Sequence, residues 1–201
     1  FIAFPVLVWT LDGAEARRGV WRTLFGPAFR IGFFFGLGYF LVAIHWVGAA
    51  FLVDGGPMVY AMPLGVLALA AVLALFWALG IGFSRLFWSA GAGRLFALAL
   101  GLGLAEFARG TLFSGFPFDL LGYALTPNDE MMQLSSVIGI YGLTLLAALL
   151  AMTPALIWPQ DERVMSRRLF PFFLALLVLT GQLAYGWNRV SNIVSTERQD
   201  L

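Results

Sequence analysis

Cysteine and lysine are both absent from the 201 residues, and histidine occurs once, at His45. Without cysteine there is no disulfide, no thiolate nucleophile and no zinc–thiolate site, and nothing is said about redox compartment. Without lysine there is no Schiff base and no P-loop ammonium. One histidine with no cysteine makes no transition-metal site, and no cofactor or metal is expected. Charge is scarce as well, at 11% of residues where a soluble domain carries about 25%. The formal net charge of +1 provides no basic field for phosphates, so nucleic acid is not a partner. In their place stand 61% apolar residues and a mean hydropathy of +0.88, which exclude an ordinary soluble domain and a disordered chain and leave an integral membrane protein.

A bilayer core of about 30 Å takes about 20 apolar residues as helix. Six spans are expected: about 1–11, 31–53, 57–84, 94–113, 131–158 and 169–188. Backbone polar groups must be satisfied inside lipid, and runs of this length without period-two alternation specify helices rather than a barrel. The fold class is therefore all-α: a polytopic transmembrane helix bundle over 1–190, with 191–201 as a polar linker. The first residue is Phe, inside a hydrophobic run with no basic segment before it, so the opening reads as part of a longer span and not as a signal peptide.

Arginine placement orients the bundle. Arg17, Arg18, Arg22 and Arg30, then Arg85 and Arg94, then Arg163, Arg167 and Arg168 fall on one side, with only Arg109, Arg189 and Arg198 on the other. The first side is expected to be cytoplasmic, which puts both ends of the chain outside. The outer side then carries an unusual stretch at 110–130, where Gly115, Pro117 and Gly122 alternate with Phe116, Phe118 and Tyr123. It is too apolar for an exposed loop, and its aromatics suit headgroup depth. Gly32 and Gly36, four apart, predict close helix packing. Pro154 and Pro159 are expected to end the fifth span.

Two places could carry function. Glu106 and Arg109 are three residues apart on one helix and can pair. Counting from Arg94, they lie about 18 and 22 Å across the membrane. Ionisable residues at such depth are functional candidates by default; the plainer reading is a self-neutralising pair that anchors the loop after it. His45, beside Trp46 and not far after Tyr39, reads as an interfacial histidine within an aromatic belt. No nucleophile elbow accompanies it, since Ser89 is followed by Gly91 but preceded by Phe87. Gly101 and Gly103 lie inside a span and make no dinucleotide loop.

The run Ala105-Glu106-Phe107-Ala108-Arg109-Gly110, then Ser114-Gly115-Phe116-Pro117-Phe118 and Leu121-Gly122-Tyr123, resembles the membrane domain of bacterial apolipoprotein N-acyltransferases. Phe107 and Phe118 stand where that family usually has Trp. Gly139-Ile140-Tyr141-Gly142 and Gly36-Leu37-Gly38-Tyr39-Phe40 with Trp46 resemble weaker blocks of the same family. The resemblance implies an eight-helix membrane domain carrying a nitrilase-like periplasmic domain whose Glu, Lys and Cys transfer a phospholipid acyl chain to the N-terminal amine of a diacylglyceryl-cysteine lipoprotein. Phospholipid donor, lipoprotein acceptor and the bilayer of the inner membrane are the implied partners, and the implied state is a monomer. With no Cys and no Lys this stretch holds no catalytic residue of that triad and is expected to be inactive alone. It corresponds to about six of the eight helices, with Glu106, Arg109, Gly115, Phe116, Pro117, Phe118, Tyr123, His45 and Trp46 as lipid-groove or structural candidates. The alternatives are a transporter fragment, against which stand the missing inverted repeat and polar path, and a non-catalytic membrane scaffold.

Overall fold

The computed structural model of the chain describes the backbone of residues 2–15, 19–53, 56–89, 91–157 and 165–199, and the side chains of these apart from 58, 165–170 and 193–199. All regular secondary structure among the described residues is helical, with no strand. Arg17, Arg18, Arg163 and Pro159 lie outside the described residues. Among the described residues, three stretches are long and apolar enough to cross a membrane: Val20–Ala43, Val59–Phe87 and Ser135–Leu156. The chain forms two compact units, Trp9–Asp119 and Phe1–Val8 with Leu120–Leu201. The first helix, α1 (Ala3–Asp12), contributes to both.

In the unit Trp9–Asp119, a short α2 (Val20–Leu24) leads into α3 (Pro27–Ala43), whose Pro27 occupies the first turn, where a missing N–H costs nothing. The uncharged stretch 31–53 is not one continuous α-helix. It passes at Ile44 into a 3₁₀ segment, His45–Leu52, and a second 3₁₀ turn, Pro57–Ala61, precedes α4 (Met62–Ser84). A 3₁₀ turn at Arg85–Phe87 and a loop connect to α5 (Gly93–Thr111). Glycine sets the spacing of these helices. Gly32 and Gly36 lie against the α4 backbone, at Ala78 and Ala74, so a Cβ at either would stand 3.1 or 3.3 Å from a Cα of α4. On the far side of α4, a Cβ at Gly80 would run into the Gly101 carbonyl of α5, and one at Gly101 into the Gly80 carbonyl. This is the small-residue contact by which membrane helices approach closely.

α5 turns large apolar side chains outward and buries its ionisable pair among small and apolar residues. Phe96, Leu100, Leu104 and Phe107 point outward, while Gly101, Ala105, Glu106 and Arg109 are buried. Apolar outside and ionised inside is the arrangement a lipid solvent selects.

In the unit of Phe1–Val8 and Leu120–Leu201, a 3₁₀ turn (Leu121–Leu125) packs on α7 (Ser135–Met152), and α6 (Asp129–Met132) packs on α8 (Met165–Gln199). Asn128 caps α6, its Oδ1 accepting from the Met131 N–H at 2.9 Å. Gly139, with φ 66°, breaks the helical path inside α7, which ends at Met152 in a 3₁₀ turn containing Pro154. The buried Gln182 of α8 donates through Nε2 to the Leu125 and Met131 carbonyls, both at 2.8 Å. Residues 191–199, polar enough to suggest a linker, continue α8 as helix, since no glycine or proline follows Gly186 to interrupt it; 200–201 lie outside the described residues.

The glycine contacts make a differential prediction. Gly101→Val overpacks the α4–α5 contact and should cost about 1–3 kcal/mol. Gly38→Ala, where a Cβ meets nothing within 4 Å, should be neutral or stabilising by up to about 1 kcal/mol through helix propensity. Thermal unfolding of the two variants in detergent checks the contrast.

Candidate functional site

The two ionised groups of α5 meet as their spacing predicts. Arg109 Nη2 donates to Glu106 Oε2 at 2.5 Å, and both side chains are out of contact with solvent, at 2% and 0% exposure. An isolated charge so deeply buried would be prohibitive, and the pair is tolerable only because each partner is satisfied further. The carboxylate's other oxygen, Oε1, accepts from the indole Nε1–H of Trp77 on α4, also at 2.5 Å. The guanidinium turns its Nη1 to the loop that follows α5 and donates to the carbonyls of Phe116, at 2.7 Å, and Phe118, at 2.8 Å. Its Nε–H is buried with no partner among the described residues.

Aromatic rings from α3 close the pair off. The Arg109 guanidinium lies over the Phe40 ring, 5.1 Å from its centroid, a cation–π contact strengthened by desolvation. Tyr39 stacks on Trp77 with centroids 4.6 Å apart, and Phe40 meets the same indole edge-on at 5.2 Å. The ion pair thus joins three helices and a loop.

The loop is shaped to be held this way. α5 stops at Thr111, whose hydroxyl bonds back to the Phe107 carbonyl. Gly115 then takes φ 69°, where a side chain would run into the Gly110 carbonyl, and the chain reverses so that the Phe116 N–H reaches the Arg109 carbonyl at 2.8 Å. Two non-glycine residues hold left-handed backbone, Phe113 at φ 56° and Asp119 at φ 53°. Such conformations persist where the surroundings over-determine them. At Asp119 the surroundings are visible: its carbonyl accepts from the Tyr39 hydroxyl at 3.0 Å and its Oδ2 from the Trp46 indole at 3.2 Å. Trp46 also meets Phe118 edge-on, at 5.9 Å, and Phe118 lies 5.0 Å from Phe116. The result is an aromatic surface of Trp46, Phe116 and Phe118, with Trp46 and Phe118 about half exposed, carried on a loop pinned from beneath.

Of the candidate residues, Glu106, Arg109, Gly115, Phe116, Pro117, Phe118 and Trp46 come together here. His45 does not join them: it is exposed, and its Nδ1 bonds locally to the Val42 carbonyl at 2.7 Å. Tyr123 belongs to the other unit, half exposed on the turn whose Gly122 N–H donates to Thr144 Oγ1. Two residues that complete the network, Trp77 and Tyr39, were not singled out as site residues. Trp77 carried a signal, as an indole well inside an uncharged span and away from the interfacial positions tryptophan favours, where its N–H needs an acceptor. Among the described residues no group of three or more His, Cys, Asp or Glu could hold a metal ion. Glu106 and Arg109 of this arrangement are paired with each other, and Asp119 accepts from Trp46. What it can do is fix a loop and hold its aromatic side chains outward.

Residues 1–153 match the family model described as the apolipoprotein N-acyltransferase N-terminal domain. The chain is 42% identical over 193 residues to the apolipoprotein N-acyltransferase of Rhizobium meliloti (strain 1021), covering 95% of this chain and 35% of that protein. It is 48% identical over 159 residues to that of Brucella suis biovar 1 (strain 1330), covering 78% of this chain and 30% of that protein. A third relative of the same name, from Sinorhizobium fredii (strain NBRC 101917 / NGR234), is 43% identical over 194 residues. The chain spans about a third of the length of the curated relatives it matches.

Removing one charge of the pair leaves the other buried and uncompensated. Arg109→Met should destabilise the protein by about 3–5 kcal/mol. Glu106→Gln with Arg109→Met removes both charges and should recover part of that loss, while still releasing the loop. The absence of cysteine permits a clean readout: in a Ser114→Cys background, maleimide labelling should be faster in the double variant than in its parent.

Proposed function

We propose, because the chain belongs to the apolipoprotein N-acyltransferase family and matches its N-terminal domain, that it is the membrane part of an enzyme transferring an acyl chain from a phospholipid to the N-terminal amine of a diacylglyceryl-cysteine lipoprotein. The covalent chemistry belongs to a domain outside these residues, since with neither Cys nor Lys they hold none of the nucleophilic and cationic groups that such a transfer through a thioester uses. The membrane part anchors the enzyme and shapes the rim by which acyl chains enter, and alone it has no acyltransferase activity. It lies in the bacterial inner membrane with the nine-arginine side toward the cytoplasm, following the arginine bias, and acts as a monomer.

The observation that carries this reading is the pinned loop. An acyl chain entering from lipid gains from apolar contact but must leave its headgroup at the interface. Half-exposed aromatics at a helix end meet both requirements, since their rings are apolar and suit that depth. The buried Glu106–Arg109 pair keeps those rings in place without using the side chains that face outward. The relatives' shared name does not favour the transporter or scaffold alternatives.

The test is Phe116→Ala with Phe118→Ala in a full-length enzyme carrying this membrane part. Loss of the contact area of two rings, about 1.5–3 kcal/mol for each ring that is fully buried by substrate, should lower kcat/KM for phospholipid by at least about tenfold. Unchanged turnover at limiting phospholipid would remove the rim from the mechanism.

A further inference from the structure

A second polar site lies near the start of α5, where Arg94 is roughly 22 Å along the helix from Arg109. It is a cavity of about 180 Å³ between α2 and the end of α4, lined by Arg22, Arg85, Trp88, Thr23 and Glu15 among others. Its volume equals about six waters at ~30 Å³ each, room for a phosphate group with part of its hydration.

The cavity's cations are held differently. Arg85 is fixed: its Nη2 donates to the Ala14 carbonyl at 3.0 Å and its guanidinium lies over the Trp88 ring, 4.8 Å from the centroid. Its Nη1 is nevertheless buried with no hydrogen-bond partner among the described residues. A buried guanidinium N–H left unpaired is costly and normally finds an acceptor. Arg22 is exposed at the mouth. Among the described residues of this unit, the acidic groups near this end are Asp12 and Glu15. Asp12 is engaged, by Arg94 at 3.2 Å and by the Trp88 indole N–H at 3.2 Å. Two arginines therefore face one remaining carboxylate, Glu15. Trp88, donating to Asp12 with its ring under Arg85, suits the membrane–water boundary.

We infer that this cavity binds a phosphate group, as carried by an anionic phospholipid headgroup, with the preset Arg85 guanidinium as its inner donor and Arg22 as its outer one. An anion there would complete Arg85 and offset the surplus positive charge. The planar, fixed donor favours an oxygen-rich anion over a diffuse attraction to the surface. The site lies away from the Phe116–Phe118 loop and does not depend on the acyl-transfer reading.

The test is native mass spectrometry of the whole polypeptide in detergent, titrated with phosphatidylglycerol and, separately, with phosphatidylcholine of the same chains. Phosphatidylglycerol should be retained preferentially. Arg22→Gln, an exposed substitution that leaves Arg85 in place, should weaken its binding by about fivefold, the worth of one arginine near an anionic surface. Glu15→Gln should strengthen it, a gain that damage to the fold does not produce. Excess inorganic phosphate distinguishes the sources: continued retention of the lipid assigns the site to a headgroup, and displacement by phosphate assigns it to the phosphate group from either source. Equal retention of the two lipids, or phosphatidylglycerol binding that neither substitution changes, overturns the proposal.

Discussion

Everything around the aromatic loop depends on one buried ion pair. A carboxylate and a guanidinium without solvent contact would be a liability if they merely neutralised each other, because desolvation commonly exceeds the attraction regained. Here the pair is a junction. Glu106 takes the Trp77 indole as a second donor, Arg109 gives two bonds to main-chain carbonyls, and Phe40 lies against the guanidinium. Each added bond offsets part of the cost of burial, and each ties the junction to a different segment. Removing the pair would separate α5 from its own loop as much as it would disturb the core.

That junction exists only because the helices come close enough to build it. The small residues of α3 rest on α4, and those of α4 on α5, so Trp77 can reach Glu106 while Tyr39 and Phe40 close over it. In lipid, where burial of apolar side chains supplies little driving force between helices, close backbone approach and a few polar bonds carry the association. The glycines and the ion pair are two parts of one device, the first fixing separation and the second fixing register.

Much of this was legible in the sequence. Composition alone pointed to a helical membrane protein, and a three-residue spacing to the Glu106–Arg109 pair, with anchoring of the loop as one of two readings of it. The four-residue spacing of Gly32 and Gly36 pointed to close helix packing, though not to α4 as the partner. Less legible was where hydropathy stops meaning α-helix. The run 31–53 is uncharged to its end, yet its last third is 3₁₀, because apolar composition does not record hydrogen-bond register. The same limit applies in reverse at 191–199, where polar residues continue a helix. Partners from other helices were harder still: Trp77 is a single apolar letter among many until its N–H is traced to an acceptor. His45 stood out only for being the sole histidine, and its bond is to its own turn.

The Arg109 bonds to the loop end on main-chain oxygens of Phe116 and Phe118, not on their rings. Position and identity are therefore separate properties of this surface. The backbone path is set by groups that every residue type possesses, so the side chains at 116 and 118 are free to be exchanged for wider, narrower or more polar ones without moving the segment that bears them. A scaffold of this kind separates the contour of a surface from its position: the side chains can change by single substitutions while the fold beneath them stays constant.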